Sequence, residues 1–239
     1  MKISGEMQEA VLCLRASGTP ASKIAKEVGL SVRSIQRIAR MTAYHEAGHA
    51  AAGAIFKQNP DWATLVPDPK TKVLAEVTRM DGDLSSEEGL KNEIINYYAG
   101  QCAELRAGGN VRRAKLGAIW DDKVARDCIV RICGENSTEK QLDACEKKMR
   151  VAAGKFVDEH WPLVARIAAE LLEHTTLVWE ELDGLRAIYQ GEGTEEDLEQ
   201  LRKGLDALDE HCSLMGKKAV YKGSSKQFGP KIISTWSCE

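Results

Sequence analysis

The feature that most constrains this chain is the run His45-Glu46-Ala47-Gly48-His49, which places two histidines four residues apart. Positions four apart on an α-helix differ by only about 40° around its axis, so His45 and His49 can bind one metal ion from the same face. Glu46 lies beside them, where it can take a proton from a water molecule that the metal activates. This H-E-x-x-H pattern is typical of zinc peptidases, and it predicts metal-assisted hydrolysis of peptide bonds.

A competing interpretation is a surface helix whose two histidines bind nothing, because the five-residue pattern also occurs by chance. Gly48 argues against it, since a glycine within a helix costs about 1 kcal/mol relative to alanine. The missing side chain is explained if another segment of backbone passes close to the metal. The residues from Ala50 to Ala54 are small and apolar, as a buried catalytic helix requires.

Composition places the chain among mainly helical globular proteins. Of its 239 residues, 43% are hydrophobic, 29% are charged and only 5% are aromatic, a balance that favours helices over sheets. The seven cysteines form no C-x-x-C pair, which predicts reduced thiols and a cytoplasmic protein. The longest apolar run, Ala50 to Phe56, is far shorter than the roughly 20 residues of a membrane helix, and no signal peptide is predicted. We therefore expect a soluble protein with no membrane partner.

Charge is distributed unevenly along the chain. Residues 1–41 carry seven basic and three acidic side chains, a net charge of +4, whereas the whole chain carries −3. We predict a helix-turn-helix-like unit at 1–41, a zinc peptidase domain at 42–190, and a C-terminal amphipathic helix with a flexible basic tail at 191–239. The predicted fold class is mainly α, with a small β-hairpin or sheet inside the peptidase domain.

Residues 20–38 resemble a helix-turn-helix, with Gly29 at the turn. In that arrangement Arg33, Arg37 and Arg40 line the outward side of the third helix and can contact DNA phosphates. An alternative is that the three short helices only brace the catalytic domain. The third helix also lies so near the histidine helix in sequence that a continuous helix could keep it out of a DNA groove.

Helical periodicity and capping residues predict most of the remaining structure. The predicted helices cover residues 6–17, 23–28, 32–40, 42–56, 87–107, 121–133, 138–159, 162–174 and 195–215. Two β-rich runs, at 62–66 and 73–78, predict a small hairpin or sheet. From residue 216 onward the sequence is rich in Lys, Gly and Ser without periodicity, which predicts a mobile tail.

Four segments, in order along the chain, resemble the peptidase domain of the FtsH family of AAA zinc proteases. The first is the zinc motif, His45-Glu46-Ala47-Gly48-His49-Ala50. The other three are Ile95-Asn96-Tyr97-Tyr98-Ala99-Gly100-Gln101-Cys102-Ala103-Glu104-Leu105, Gly117-Ala118-Ile119-Trp120-Asp121-Asp122-Lys123-Val124-Ala125 and Ala168-Ala169-Glu170-Leu171-Leu172-Glu173-His174-Thr175-Thr176-Leu177. Four ordered segments, spanning about residues 40–185, are more specific than a single motif.

The resemblance implies a role for each matching residue of the centre. His45, His49 and Asp121 would coordinate Zn²⁺ as the cofactor. Glu46 would serve as general base and then as general acid. Asp122 is the nearest alternative to Asp121, because a shift of one residue would exchange them.

Two further expectations follow from the resemblance. Glu104 is a weaker ligand candidate and is expected instead to be a surface charge or a structural ion-pair partner. The strand after the zinc helix is expected to present its edge to an extended peptide substrate, which it binds as an additional strand. The residues of this strand are Trp62, Ala63, Thr64, Leu65 and Val66.

The chain also departs from the family. It contains no G-x-x-x-x-G-K-[ST] motif and no membrane anchor, so neither a nucleotide nor a membrane is an expected partner. Trp120 and the Gln101-Cys102 pair give no support for a hexamer, which leaves an oligomer unsupported. We expect a metalloendopeptidase that cleaves unstructured protein segments. The alternative is a DNA-binding regulator, for instance of a mobile element, whose peptidase fold is regulatory or cleaves a repressor.

Overall fold

Helices dominate the structure, as the composition predicts. This computed structural model describes residues 3–68, 75–78, 83–214, 219–221 and 236–238. The chain divides into two compact units, residues 1–177 and residues 178–239. Within the described residues there are ten helices and two small sheets, which confirms a mainly α fold with a minor β element.

The first unit begins with three helices: α1 (Gly5–Ala16), α2 (Ala21–Val28) and α3 (Val32–Ile55). Gly29 ends α2 in the left-handed region, with φ at 68°, which a glycine adopts at little steric cost. The hydroxyl of Ser31 accepts a hydrogen bond from the backbone of the first turn of α3 at 3.1 Å and caps that helix. Buried apolar side chains hold the three helices together, among them Val11, Ile24, Ile35 and Ile38.

Helix α3 is a single helix of 24 residues that continues from the N-terminal region through both histidines. No proline or glycine interrupts residues 32–47, so nothing in the local sequence ends the helix near residue 41. The boundary predicted between residues 41 and 42 therefore falls inside a helix. As a result, the turns that carry the arginines are joined rigidly to His45 and His49.

Helix α3 packs against α4 (Glu87–Arg106) and α8 (Trp161–His174). A Cβ added to Gly48 would lie 2.5 Å from the carbonyl oxygen of Ala99 on α4, closer than such atoms can approach. This close passage of another backbone confirms the interpretation of Gly48 from the sequence. On the α8 side, the ring of Tyr44 stacks on Trp161 with centroids 5.3 Å apart.

The remaining helices of the first unit are α5 (Val111–Gly117), α6 (Ile119–Cys133) and α7 (Glu139–Glu159). Side chains from α4, α6 and α7 form a buried core that includes Ile94, Tyr98, Ala125, Ile129 and Met149. Ala118 alone separates α5 from α6, and Asp121 lies in the first turn of α6. The sequence pattern does not predict α5, and α6 begins two residues before its predicted start.

The small sheet of the first unit has its strands in the spatial order β2 (Glu76–Thr78), β1 (Trp62–Thr64) and β3 (Thr176–Val178). Strands β1 and β2 are antiparallel, with Ala63 opposite Val77. The predicted pairing of two strands is confirmed for these residues, whereas residues 73 and 74 lie outside the described part of the chain. Strand β3 is not predicted, because three residues between two helices are too few to show an alternating pattern.

The second unit contains α9 (Trp179–Gln190), α10 (Glu195–Leu214) and the antiparallel strands β4 (Ala219–Tyr221) and β5 (Trp236–Cys238). Thr194 caps α10, because its hydroxyl accepts from the backbone N–H of Asp197 at 3.2 Å. Nε of Arg202 donates to Glu181 at 2.9 Å and joins α10 to α9. Strands β4 and β5 lie within the tail that the sequence predicts from residue 216 onward, so a tail without secondary structure is wrong for these two segments. The other residues of that tail lie outside the described ranges. Among the described residues, no helix is both long enough and apolar enough to cross a bilayer.

Replacing Gly48 with alanine should destabilise the protein, because the new methyl group would overlap the backbone of Ala99 and force α3 and α4 apart. We expect Gly48→Ala to lower the free energy of unfolding, measured in urea, by about 1–3 kcal/mol. The matched control is Gly154→Ala on α7, where nothing lies within 4 Å of the added carbon. The control should raise the free energy of unfolding by about 1 kcal/mol. Equal stability of the two variants would contradict the close packing at Gly48.

Candidate metal centre

Two helices bring three potential metal ligands together. His45 and His49 are buried on one face of α3, with their Nε2 atoms 3.2 Å apart. Asp121, in the first turn of α6, places its Oδ2 3.4 Å from Nε2 of His45 and 3.6 Å from Nε2 of His49. Among the described residues, these three side chains form the one cluster of this kind that could hold a metal ion.

The spacing of the three donor atoms suits a metal ion. Zinc binds histidine nitrogens and carboxylate oxygens at about 2.0–2.2 Å, so two donors of a tetrahedral site stand roughly 3.3–3.6 Å apart. The observed separations of 3.2, 3.4 and 3.6 Å lie close to this range. Two imidazoles and one carboxylate are also a donor set of catalytic zinc sites, which keep a further position for water or substrate. The residues present therefore fit a divalent metal ion.

Helix α4 sets the orientation of His49. Nδ1–H of His49 donates to the backbone carbonyl of Asn96 at 2.9 Å, so Nε2 is the ring nitrogen that is directed at the cluster. The amide of Asn96 donates to Gln58 at 2.6 Å, and the amide of Gln58 donates to Glu93 at 2.9 Å. Gly100 leaves room for the ring, since a Cβ there would lie 2.3 Å from Nε2 of His49. This histidine is therefore held by a buried polar network.

A buried carboxylate faces the other histidine. Glu104 on α4 is only 3% exposed, and its Oε2 lies 3.6 Å from Nδ1 of His45. Its second oxygen, Oε1, lies 3.6 Å from Nε of Arg113. Burial excludes the surface-charge interpretation of Glu104. Its contacts are those of an ion-pair partner that orients the ring of His45 through Nδ1, the nitrogen that does not face the cluster.

The structure distinguishes between the two adjacent aspartates. Oδ1 of Asp122 accepts a hydrogen bond from Nη2 of Arg150 at 2.8 Å, whereas Oδ2 of Asp121 faces the histidines. Successive residues of a helix project about 100° apart, so only one of the two can turn towards α3. The fold brings Asp121, and not Asp122, to His45 and His49.

The charged groups of the cluster shift one another's pKa. Burial by itself lowers the pKa of His45. The surrounding carboxylates, above all those of Asp121 and Glu104, outweigh burial and raise this pKa from 6.5 to about 10. Burial by itself raises the pKa of Asp121, but the adjacent His49 and His45 hold it well below its usual range. Without metal, His45 is therefore protonated at neutral pH and pairs with a charged Asp121.

Glu46 lies at the edge of this cluster. It is buried on α3, and its negative charge contributes to the raised pKa of His45. Residues three apart share a helix face, so Glu46 and His49 are neighbours. The helix that carries two of the ligands thus also holds the carboxylate that the sequence predicts as the general base.

The residues predicted to bind substrate, at 62–66, lie on β1 and the turn after it. Trp62 and Val66 are exposed, whereas Ala63 and Leu65 are buried. Strand β1 is the middle strand of its sheet, with β2 on one side and β3 on the other. The expectation that β1 presents an open edge is therefore wrong, because both of its edges are already paired. Contact between these residues and a peptide stays a prediction.

The three arginines predicted to contact DNA lie in the first turns of α3. Arg33, Arg37 and Arg40 are all exposed, and their spacing of four and then three residues puts them on one face. The guanidinium carbon of Arg40 lies 5.6 Å from the ring centroid of Tyr44. Helix α3 is continuous through the histidines, which is the arrangement that could keep this face out of a DNA groove, and DNA contact stays a prediction.

Several residues on the helices around the centre are missed by reasoning from sequence. Asn96 acts through its backbone carbonyl, which every residue type possesses, so no side-chain pattern identifies it. Arg113 and Arg150 look like ordinary polar positions of amphipathic helices. Gly100 carries a usable signal, because a glycine in the interior of a helix is costly unless space is needed.

Comparisons with known proteins leave the family of this chain open. No model of a known protein family matches it, and a search of curated proteins finds no match. The resemblance to the FtsH peptidase domain therefore stays a prediction that rests on the four quoted segments. The assignment of a metal centre rests on the geometry of His45, His49 and Asp121.

Metal binding should release protons in a pH-dependent way. A histidine must lose its proton to coordinate a metal, and the pKa of His45 in the metal-free protein is about 10. We expect zinc binding near neutral pH to release about one proton per ion, and the apparent affinity to rise until the pH passes that pKa. Calorimetric titration in buffers of different ionisation enthalpy measures the release. Zinc binding whose heat is independent of the buffer would contradict the protonated state of His45.

Proposed function

We propose that this protein is a zinc-dependent metalloendopeptidase that hydrolyses peptide bonds in unstructured protein segments. The observation that carries the proposal is the convergence of His45, His49 and Asp121, whose donor atoms lie 3.2–3.6 Å apart beside Glu46. Two imidazoles, a carboxylate and an adjacent acid on one helix are the ligands and base that such a reaction requires. The resemblance of four segments to the FtsH family supports the same reaction.

His45, His49 and Asp121 would hold the zinc ion. When bound, zinc supplies Lewis acidity, which polarises a carbonyl group and lowers the pKa of water to about 7. Glu104 faces His45 from the side away from the cluster, and the buried carboxylates together provide the negative charge that a buried dication requires. The centre therefore matches the ion in both donor type and charge.

Glu46 would act first as general base and then as general acid. Its carboxylate can accept a proton from the attacking water and deliver it to the nitrogen of the leaving amine. The proton balance closes within one turnover, because the proton taken from water is the one that the amine receives. Since Glu46 and His49 lie on the same helix, the base keeps its position relative to the ligands.

The surroundings of Asp121 favour an extended and partly apolar segment as the substrate. Ile119 and Trp120, immediately before Asp121, are 63% and 68% exposed, so apolar side chains border the centre. The ligands themselves are largely buried, and an unstructured segment can reach them more easily than a folded surface can. The 239 residues contain no G-x-x-x-x-G-K-[ST] motif to drive unfolding, which also favours substrates that are already unfolded.

Glu46→Gln should keep the metal and lose peptide cleavage, because an amide preserves the shape of the side chain but cannot accept the proton. We expect the rate of cleavage of casein, an unstructured protein, to fall by at least about 100-fold. Metal analysis of the same preparation should still show about one zinc per chain. Cleavage by Glu46→Gln at the wild-type rate would refute the peptidase.

Two histidine variants provide the controls for this measurement. His45→Ala removes a ligand, so it should lose both zinc and cleavage. His174→Ala changes an exposed histidine at the end of α8, so it should retain both. A wild-type protein that contains no zinc and cannot be loaded with it would refute the metal centre.

A DNA-binding regulator is the second candidate, and the exposed arginine face of α3 favours it. Arg33, Arg37 and Arg40 present three positive charges on adjacent turns of one helix. Because α3 is continuous, a nucleic acid bound on this face would be joined to both histidines by one rigid element. In this second proposed function, the peptidase fold would be regulatory or would cleave a repressor that binds the same DNA.

Alanine at all three arginines should remove the salt-sensitive part of duplex DNA binding. Each phosphate contact that is lost should reduce the slope of log affinity against log salt by about 0.9. A matched control also removes three exposed positive charges, from α7, by alanine at Lys140, Lys147 and Lys148. An unchanged slope in the arginine variant, or an equal loss in the lysine variant, would contradict a specific DNA face on α3.

A further inference from the structure

The first turn of α6, which carries Asp121, has few anchors of its own. Ala118 precedes the turn and is buried, but its methyl group makes no hydrogen bond that would cap the helix. Ile119 and Trp120 are exposed, so they do not fasten the turn to a core. At Gly117, the last residue of α5, no atom lies within 4 Å of where a Cβ would stand. A metal ligand nevertheless has to be held to within about 0.5 Å of its working position.

Arg150 on α7 supplies an anchor from outside α6. Its Nη2 donates to Oδ1 of Asp122 at 2.8 Å, so the residue next to Asp121 is tied to α7. The same guanidinium donates through Nη1 to Gln101 at 3.0 Å and through Nε to Glu146 at 2.9 Å. Because all three nitrogens have acceptors in different directions, the planar group is fixed in orientation.

The guanidinium of Arg150 also lies against α4, the helix that orients both histidines. Its central carbon is 4.1 Å from the ring centroid of Tyr98, a cation–π contact. Gln101 is one turn further along α4 and accepts from the same group. Helix α4 also carries Asn96 and Glu104, which contact the two histidines. The side chain of Arg150 therefore connects the first turn of α6 to α4, the helix that contacts both histidine rings.

We propose that Arg150 is a positioning residue of the metal centre. By holding Asp122 against α4 and α7, it turns Asp121 towards the histidines and keeps the third ligand in place. Arg150 acts through Asp122 and the backbone of the first turn, without contributing a donor atom to the cluster. This role rests on the proposed function in one respect, namely that the centre binds a metal ion.

Three substitutions separate the contributions of charge and shape. Arg150→Met removes every donor and keeps much of the length of the side chain. Arg150→Lys keeps the positive charge but offers one ammonium group to three acceptors that lie in different directions. Asp122→Asn keeps the shape of the partner and removes its charge. The first substitution should have the largest effect, and the other two should have smaller effects in the same direction.

Titration with Co²⁺ tests the ligands directly, because the visible absorption of bound Co²⁺ depends on the number and type of the ligands that coordinate it. Arg150→Met should bind Co²⁺ and Zn²⁺ about tenfold to a hundredfold more weakly than the wild type, the range for lost partners of metal ligands. Its Co²⁺ absorption should also change, because Asp121 no longer holds its position. Circular dichroism should show the helix content of the wild type.

Arg126→Met is the matched control for general loosening of α6. Arg126, further along α6, pairs with Glu139, Asp143 and Glu146 on α7. Its replacement removes three ion pairs between α6 and α7, whereas Arg150 makes one contact between these two helices, through Asp122. The replacement at Arg126 leaves the first turn of α6 untouched. This control should lose thermal stability and yet bind Co²⁺ with the affinity and absorption of the wild type.

Wild-type affinity and absorption in both Arg150→Met and Asp122→Asn would overturn the proposal. An equal loss of affinity in Arg126→Met would also overturn it, because any loosening of α6 would then suffice. If Arg150→Met does not fold, the Co²⁺ affinity and absorption of Arg150→Lys and Asp122→Asn test the proposal instead.

A wild-type protein that binds neither ion refutes the metal centre and this role together. A wild-type protein that binds Co²⁺ without cleaving casein refutes only the peptidase, and the comparison of variants still decides the role of Arg150.

Discussion

The close approach of α3 and α4 at Gly48 is the contact on which the candidate metal centre depends. The backbone of α4 passes where a side chain would otherwise lie, and this brings Asn96 and Glu104 against the histidines. A second glycine, Gly100, gives the ring of His49 its space. Larger residues at either position would separate the helices or displace the ring, and the ligands would lose the partners that orient them. The centre is therefore a product of backbone packing as much as of ligand identity.

Buried charge is the second constraint on this region. Asp121, Glu104 and Glu46 bring three carboxylates close to His45, and charges removed from water are tolerated only when they are compensated. In the metal-free protein a proton on His45 supplies part of the compensation, and Arg113 supplies another part from the far side of Glu104. A divalent cation at the cluster would balance the carboxylates more fully. The same charges that hold the proton therefore prepare the site for a metal ion.

Local sequence patterns predict most helices because caps and periodicity act over a few residues. Ser31 and Thr194 cap α3 and α10 close to the expected starts, and Gly29 ends α2 where a turn was expected. The same patterns fail for α5 and β3, which are too short to show a period. They also miss α9, a helix of 12 residues. The open edge of β1, which the resemblance to the FtsH family implied, is also wrong, because the neighbouring strand β3 comes from a segment more than a hundred residues away.

The sequence by itself determined that His45, Glu46 and His49 form one side of a site, because helical geometry places residues three and four apart together whatever the rest of the chain does. Only the tertiary structure decided that Asp121 joins them and Asp122 does not. That choice depends on the rotation of α6 about its own axis, which side chains from other helices set. A pattern along one segment carries no information about such a rotation, because the contacts that fix it join residues that are distant in sequence.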